Sequence, residues 1–249
     1  MKKEENYETL NKIWQESYEI GSPTFLIRQK LIKKLIKNSI KNNFLVLDIG
    51  CGNGYYIDLL IKYNPKYYGV DLSNFSIENL KEKYPKLNYY CGDFMHFNIK
   101  KKFDLIIMSE VLEHIENEDK MLKKIHYLLK KDGKLILSVP FDQNLWSRSD
   151  ELVNHKRRYT KKYLKMIIEK NGFKINDMVC YGFPLLRIYW LLKKNFMKDS
   201  SIKPIKPKKS MIKKIFFKTI NKIFLLDLLL TNTNKGVGLI TICSNNSVK

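Results

Sequence analysis

The chain has few cysteines and no long run of uncharged apolar residues. Its four cysteines, Cys51, Cys91, Cys180 and Cys243, lie far apart among 249 residues and form no CxxC pair. This spacing argues against a structural zinc site or a disulfide framework and favours a reducing compartment. No stretch reaches the roughly 18 apolar residues of a membrane span, and the polar first residues are not followed by the apolar core of a signal peptide. These absences predict a cytoplasmic protein.

Arginine is also scarce, although the chain is strongly basic. Lysine and arginine number 46 against 25 acidic residues, for a net charge of +21, and only five of the 46 are arginine. Lysine occurs beside many isoleucines and asparagines, so a compositional bias accounts for part of the charge. The segment from Arg187 to Lys222 carries about half of the net charge, with twelve basic residues and one acid, Asp199. It is either a solvated surface or the contact for an anionic partner, nucleic acid or membrane.

Strand and helix patterns alternate along the chain. An apolar content of 44 % with 12 % aromatics excludes general disorder and a disulfide miniprotein. The continuous apolar run at 44–49 predicts a strand buried on both faces, and the strand–helix alternation predicts a doubly wound parallel sheet of α/β class. Further strands are predicted at 67–71, 87–91, 103–108, 133–139, 173–181 and 236–243, with helices at 54–63, 74–83, 118–130 and 160–171.

Helical segments flank and interrupt this sheet. Two amphipathic helices are predicted at 7–20 and 24–40, the second with Ser22 as N-cap and Pro23 at its first position. An insertion before the last strand holds a helix at 184–198, a Pro/Lys linker at 202–210 and a two-faced basic helix at 211–230. The predicted organisation is an N-terminal helical cap at 1–41, a sheet domain at 42–181 and 236–249, and a basic amphipathic insertion at 182–235.

A glycine-rich loop, DIGCGNG at 48–54, follows the first predicted strand. Glycines permit a tight turn and a close approach of the backbone to a ligand, and a helix start attracts an anion. Asp71 ends the next strand, where a carboxylate can bind two ribose hydroxyls, and Asp93 with Phe94 follows the third, where they can hold an adenine. A dinucleotide is disfavoured because Tyr55 stands where GxGxxG requires its third glycine. The pattern predicts a mononucleoside cofactor with a short charged tail.

Five blocks of sequence resemble class I S-adenosylmethionine-dependent methyltransferases: LVLDIGCGNG, YYGVDLS, YYCGDF, FDLIIMSEVLEHI and LLKKDGKLILSVP. The resemblance covers 44 to about 180 and resumes at 236–243, and it implies a Rossmann-like seven-stranded sheet with an antiparallel last strand. It further implies that the loop backbone holds the methionine end of the cofactor, while Leu72 packs on its base. The cofactor-binding residues it implies are Asp48, Gly50, Cys51, Gly52, Gly54, Asp71, Leu72, Asp93, Phe94 and Ser109.

Two carboxylates and an imidazole follow the fourth predicted strand. Glu110, Glu113 and His114 are spaced to share one side of a helical turn, and such a set suits a divalent ion, Mg²⁺ or Mn²⁺. The ExxEH pattern resembles the metal-dependent O-methyltransferases of ubiquinone biosynthesis and, with the later His155, the enzymes that 2′-O-methylate small-RNA 3′ ends. The resemblance implies metal ligands at Glu110, Glu113, His114 and His155 and catalytic roles for the last three. The alternative is that Glu113 and His114 are packing and capping residues of a pocket wall.

Three of the five arginines, Arg148, Arg157 and Arg158, lie within 142–159. Because arginine forms bidentate pairs with phosphate or carboxylate, this stretch either binds an anionic acceptor or is a solvated loop. Its HKRRYT block resembles a methyltransferase subgroup associated with cell-surface polysaccharide or lipid-linked sugar pathways.

Three functions stay open from the sequence. The first is O-methylation of a hydroxylated small or lipid-linked acceptor, sugar-like or quinol-like, with residues 182–230 at an anionic membrane surface. The second is RNA 2′-O-methylation, which the charge favours, although the sequence has no added RNA-binding module or aromatic platform. The third is a non-catalytic cofactor-binding or membrane-associated protein, which the intact glycine loop disfavours. The acceptor and the oligomeric state are not readable from the sequence.

Overall fold

The computed structural model describes residues 22–40, 43–196, 221–231 and 233–245. The strands within these ranges are β1 (Leu45–Ile49), β2 (Lys66–Asp71), β3 (Asn88–Cys91), β4 (Phe103–Ser109), β5 (Leu129–Pro140), β6 (Phe173–Tyr181) and β7 (Gly238–Asn245). The helices are α1 (Pro23–Lys37), α2 (Ile57–Leu60), α3 (Asn74–Lys83), α4 (Glu118–Leu128), α5 (Arg148–Leu152), α6 (Lys161–Lys170) and α7 (Leu185–Phe196).

The seven strands form one sheet in the order β3-β2-β1-β4-β5-β7-β6. β1 to β5 pair in parallel, whereas β7 inserts between β5 and β6 and runs antiparallel to both. The predicted doubly wound, Rossmann-like sheet with an antiparallel last strand is confirmed.

Helices cover both faces of the sheet, which explains the continuous apolar runs of its central strands. Successive side chains of a strand point to opposite faces. On β4, Leu105 and Ile107 therefore pack with the core that includes α1, α2 and α3, while Ile106 and Met108 pack with that of α4 and α6. Because both faces are covered, polar side chains are expected mainly at the carboxyl ends of the parallel strands.

Several boundaries differ from the sequence-based expectation. α2 begins at Ile57 rather than at 54, because the intervening residues form turns, and it continues as a 3-10 helix at Ile61–Tyr63. β5 begins at Leu129, inside the predicted helix 118–130, because Leu129 pairs with Phe103 of β4. α1 begins at Pro23 as predicted, but its N-cap, Ser22, makes no side-chain capping hydrogen bond within the described chain.

α7 is the first predicted helix of the insertion, and a polar side of it contacts the rest of the fold. Arg187 donates to Asp142 Oδ2 at 2.6 Å, and the Trp190 indole donates to Thr24 Oγ1 of α1 at 3.0 Å. Leu186 adds a fully buried side chain to the core. The helix start is capped by a buried carboxylate from a distant segment.

That carboxylate belongs to Asp227, in the 3-10 helix Leu225–Leu229. Its two oxygens accept the backbone N–H groups of Leu185 and Leu186 at 3.0 and 2.8 Å. The described end of the insertion is therefore bound to the start of α7.

The outward side of α7 is apolar. Ile188, Leu191 and Leu192 share one face of the helix and are 52 %, 41 % and 55 % exposed. We call these three residues the α7 apolar face. Nearby, Leu226 and Leu229 are also exposed. The helix thus has apolar side chains on both sides: Leu186 and Trp190 pack inward, and the α7 apolar face points outward.

The predicted helix at 7–20, the linker at 202–210 and the first half of the predicted helix at 211–230 lie outside the described residues, so the predicted domain limits stay a prediction. Residues 221–224 of the second half are helical. Leu225–Leu229, also in the second half, is a 3-10 helix. Among the residues described, no helix is both long and apolar enough to cross a bilayer.

Candidate active site

Polar residues collect where the parallel strands end. Asp48 lies near the end of β1, Asp71 ends β2, Asp93 follows β3 and Ser109 ends β4. Carboxyl ends of parallel strands meet at one edge of a sheet, where α/β folds bind ligands. The predicted cofactor residues therefore share an edge.

The glycine loop approaches this edge with left-handed backbone at Gly50, Gly52 and Gly54. A Cβ at Gly50 would lie 2.4 Å from Val111 Cγ2, so Gly50 packs directly against the segment that follows β4. At Gly52 the nearest atom outside the neighbouring residues of the described chain would be 3.9 Å away. The loop backbone is thus open at Gly52 and closed against Val111 at Gly50.

The carboxylate of Asp71 links the end of β2 to the loop. Its Oδ2 accepts the Gly52 N–H at 2.8 Å, and its Oδ1 accepts the Ser73 N–H at 2.9 Å. Asp71 is buried, whereas the neighbouring Leu72 is 53 % exposed. An apolar side chain accordingly stands at the rim beside the carboxylate, as a base-packing role requires.

Asp48 lies buried beneath the loop. Burial raises the pKa of Asp48 to about 7, although the Tyr67 hydroxyl donates to its Oδ2 at 3.0 Å and favours the ionised form. Cys51 is also buried, and burial with the charges of Asp71 and Asp48 raises the pKa of its thiol well above the usual range. Burial therefore shifts both groups toward their neutral forms.

Asp93 and Phe94, which follow β3, differ in their exposure to solvent. Asp93 accepts the Met95 N–H at 2.8 Å and is half exposed. The Phe94 ring is only 4 % exposed, belongs to the core, and has the Lys124 ammonium 4.7 Å from its centroid. The ring is thus packed inside the fold, and its contact with an adenine stays a prediction.

A hydrogen-bonded chain crosses the ends of β4 and β5. Ser109 Oγ lies 2.9 Å from Ser138 Oγ and receives a longer bond, 3.4 Å, from the Tyr56 hydroxyl. Ser138 also donates to Glu110 Oε1 at 2.9 Å, and the Arg28 guanidinium lies 3.0 Å from Glu110 Oε2. Ser109 is therefore linked to the ion pair of the half-buried Glu110 with the buried Arg28 of α1.

Glu110 does not share a helical turn with Glu113 and His114. It has a left-handed backbone, φ 57°, and only Leu112–His114 forms a 3-10 turn. Its carboxylate turns to Arg28 instead of the other predicted ligands. Glu110 is therefore not brought together with the other three predicted ligands, and the four-residue metal set stays a prediction.

The other three predicted ligands come together. One ligand atom each from Glu113, His114 and His155 lies within 4.8 Å of the others. His155 Nε2 is 3.7 Å from Glu113 Oε1, and the two imidazole rings meet edge to face with centroids 4.9 Å apart. We call these three residues the Glu113 cluster, in which His155 lies beside the ExxEH segment.

The Glu113 cluster is short of positive charge. Glu113 is fully buried, and neither carboxylate oxygen has a hydrogen-bond partner in the described part of the chain. Burial, then the charge of Glu110, raises the pKa of Glu113 well above its usual range. Burial, then the charge of His155, lowers the pKa of His114 to about 4. A buried carboxylate beside two imidazoles, without a compensating bond, has room for a cation or a proton.

The sequence did not reveal the role of Asp150, whose Oδ1 lies 2.8 Å from His155 Nδ1. Burial opposes its ionisation, but the hydrogen bond with His155 and the charge of Arg158 outweigh that effect and lower the pKa of Asp150 to about 2. A signal was present, since Ser147 and Asp150 have capping-box spacing. Arg28 was also missed, and its rarity in a lysine-rich chain was the one hint.

The family described as "Methyltransferase domain" matches residues 26–177, from α1 into β6. The chain belongs to the methyltransferase-domain family. The resemblance to class I S-adenosylmethionine-dependent methyltransferases is confirmed by this match and by the sheet order.

Two relatives of this chain are named as O-methyltransferases. A malonyl-(acyl-carrier protein) O-methyltransferase of Priestia megaterium is 34 % identical over 113 residues, 44 % of this chain and 41 % of the relative. A ubiquinone biosynthesis O-methyltransferase of Pelagibacter ubique is 32 % identical over 119 residues, 45 % of this chain and 50 % of the relative. The chain thus spans half or less of the length of either relative.

The fold also matches the solved N-methyltransferase NodS from Bradyrhizobium japonicum WM9 in complex with S-adenosyl-L-homocysteine. The TM-score is 0.55 with 14 % sequence identity, over 88 % of this chain and 85 % of the other. The likeness at this identity concerns the fold.

The raised pKa of Asp48 predicts a pH-dependent stability. The protonated carboxyl contributes stability that is fully present below the unfolded value, about 4, and is lost as the pH rises through about 7. We therefore expect Asp48→Asn to raise the unfolding temperature of the cofactor-free chain at pH 8 and to change it much less at pH 4.5, by calorimetry. Asp177→Asn, at an exposed position of β6, is the control. An equal effect of Asp48→Asn at both pH values would contradict the analysis.

Proposed function

We propose that the chain binds S-adenosylmethionine and methylates a hydroxyl of a small or lipid-linked acceptor. The observation that carries the proposal is the contact of Gly50 with Val111, which puts the glycine loop beside the segment that leads into the Glu113 cluster. A cofactor site and a proton- or cation-binding site thus lie side by side at the ends of β1 and β4.

The cofactor half of the site is supported by the loop and its acids. Gly52 offers an open backbone, Asp71 a fixed carboxylate, Asp93 a half-exposed one and Leu72 an apolar rim. S-adenosylmethionine supplies a methyl group that is already activated on a sulfonium. The protein's task is therefore orientation and exclusion of water.

The Glu113 cluster supports an oxygen acceptor. A hydroxyl must lose its proton as it is methylated, and a positioned base or a divalent ion makes that possible. The three side chains fit a divalent ion, because Glu113 is buried without a hydrogen bond from any described residue and both imidazoles face it. Such an ion, when bound, lowers the pKa of an acceptor hydroxyl. The names of the two O-methyltransferase relatives agree with an oxygen acceptor.

RNA 2′-O-methylation is the second candidate. The same Glu113 cluster favours it, since the sequence around Glu113 and His155 resembles both kinds of enzyme, and the net charge of +21 suits a polyanion. A non-catalytic role is disfavoured by Glu113. Its buried carboxylate accepts no hydrogen bond from the described residues, which lowers the stability of the fold.

A membrane-surface location is supported by the α7 apolar face. Its three exposed aliphatic side chains stand on a helix whose last turn is basic, with Lys193 and Lys194. Apolar side chains next to lysines suit the boundary of an anionic bilayer. We propose that this face contacts lipid, which would bring a lipid-linked acceptor to the site.

Asp71→Ala tests the cofactor site. Loss of the carboxylate removes charge-assisted hydrogen bonds of about 1.5–3 kcal/mol each, so we expect at least tenfold weaker S-adenosylmethionine binding in titration calorimetry. Glu78→Ala, on the exposed surface of α3, is the control. Unchanged affinity of a folded Asp71→Ala chain would remove Asp71 from the site.

An acceptor screen with labelled S-adenosylmethionine tests the activity. The panel holds quinol-like and sugar-lipid hydroxyls and RNA 3′ ends, each with and without chelator. We expect His114→Ala and His155→Ala to lower turnover about 100-fold or more while cofactor affinity stays near wild type. His96→Ala, at a largely exposed histidine, is the control. Turnover on RNA alone would select the second candidate, and turnover insensitive to chelator would exclude the metal.

Vesicle sedimentation tests the lipid contact. We expect the chain with Ile188→Ser and Leu192→Ser to sediment less with anionic vesicles than the wild type, because apolar area is lost. Met166→Ser, at a 52 % exposed position of α6, is the matched control. Wild-type binding should weaken as salt screens the lysines. Equal sedimentation of all three chains would refute the lipid contact.

A further inference from the structure

We propose that Asp150 is a positioning residue for the Glu113 cluster: it holds the His155 ring so that Nε2 faces Glu113 and His114. The inference rests on the proposed function, because the cluster is its candidate catalytic centre. Asp150 itself reaches no reacting group and acts through His155.

Asp150 holds His155 by two separate bonds. Its Oδ1 lies 2.8 Å from His155 Nδ1, and its backbone carbonyl accepts the His155 N–H at 2.9 Å. The opposite ring nitrogen, Nε2, is 3.7 Å from Glu113 Oε1. Because Nδ1 is occupied, Nε2 is the nitrogen left for the cluster, and such an outer carboxylate commonly sets the orientation of a ligating histidine.

The carboxylate of Asp150 is itself fixed. Arg158 donates from Nε to Oδ1 at 2.9 Å and from Nη2 to Oδ2 at 3.1 Å, and the Ser147 N–H donates to Oδ2 at 2.9 Å. Asp150 and Arg158 are both buried. A carboxylate paired with a buried guanidinium is an acceptor only. His155 in its neutral form must therefore carry its proton on Nδ1, which leaves the Nε2 lone pair toward Glu113.

The chain on either side of His155 is pinned as well. Asn154 has a left-handed backbone, φ 63°, and the Lys156 N–H donates to the Glu113 carbonyl at 2.8 Å. The short loop is thus fastened to Asp150 on one side of His155 and to the Glu113 segment on the other. These contacts restrict the orientation of the His155 imidazole.

A purely structural role is the competing explanation, because Asp150 also completes the capping box of α5 and pairs with Arg158. The protonation of the His155 imidazole distinguishes the two roles. A cap and an ion pair affect stability alone, whereas positioning also decides which nitrogen of His155 is protonated.

The test is ¹⁵N NMR of the imidazoles in the full chain at a pH where histidine is neutral, with Asp150→Asn and, as matched control, Ser147→Ala. The chain has four histidines, so the signals are few. We expect His155 to be the Nδ1–H tautomer in the wild type and in Ser147→Ala, and to lose that preference in Asp150→Asn. Should Asp150→Asn not fold, the wild-type spectrum decides alone, since an Nε2–H tautomer there overturns the proposal.

A second readout is binding of Mn²⁺ alone, followed by electron paramagnetic resonance. We expect Asp150→Asn to weaken Mn²⁺ binding about 10–100-fold, with S-adenosylmethionine affinity unchanged, and Ser147→Ala to stay within about twofold of wild type. Equal tautomers in the wild type and Asp150→Asn would overturn the positioning role. A tautomer change in a protein that neither binds Mn²⁺ nor methylates any acceptor would uphold the positioning role and reject the proposed function.

Discussion

Coverage of the central strands by helices on both faces is the constraint on which the chemistry of this fold depends. Strands buried in this way have little room for polar side chains along their length. β1 and β4 each have a polar residue near the carboxyl end, Asp48 and Ser109, while the other polar residue of β4, Asp104, lies at its opposite end. The next residues outside the strands, Gly50 and Glu110, both have left-handed backbones that turn the chain away from the sheet. The glycine loop begins at the first of these turns, and the segment that leads to the Glu113 cluster begins at the second.

The sheet and the glycine loop could be predicted from the sequence because both are local patterns. Apolar periodicity identifies strands and helices, and the spacing of Gly50, Gly52 and Gly54 identifies the loop. Other features depend on contacts between distant residues, such as the ion pair of Arg28 with Glu110, and no spacing rule reveals them. The left-handed backbone of Glu110 was hidden too, since glycine is the usual residue there.

The orientation of α7 shows a different limit of sequence reasoning. The sequence predicted an apolar helix with basic residues here, but a pattern does not say which side chains the fold buries. Here a few directional contacts, from Arg187 to Asp142 and from Trp190 to Thr24, hold the polar side inward. Apolar helix faces usually pack inward, yet Ile188, Leu191 and Leu192 point outward here.

Asp71 carries a consequence for the thermodynamics of ligand binding. Two backbone N–H groups, from Gly52 and Ser73, already hold its carboxylate in the cofactor-free chain. Immobilising a side chain on association costs about 0.5–1.5 kcal/mol of conformational entropy. At Asp71 this conformational entropy is already lost when the chain folds, before a ligand binds. A nucleoside that reaches this carboxylate therefore meets a rigid acceptor, and its association is less opposed by entropy at this contact.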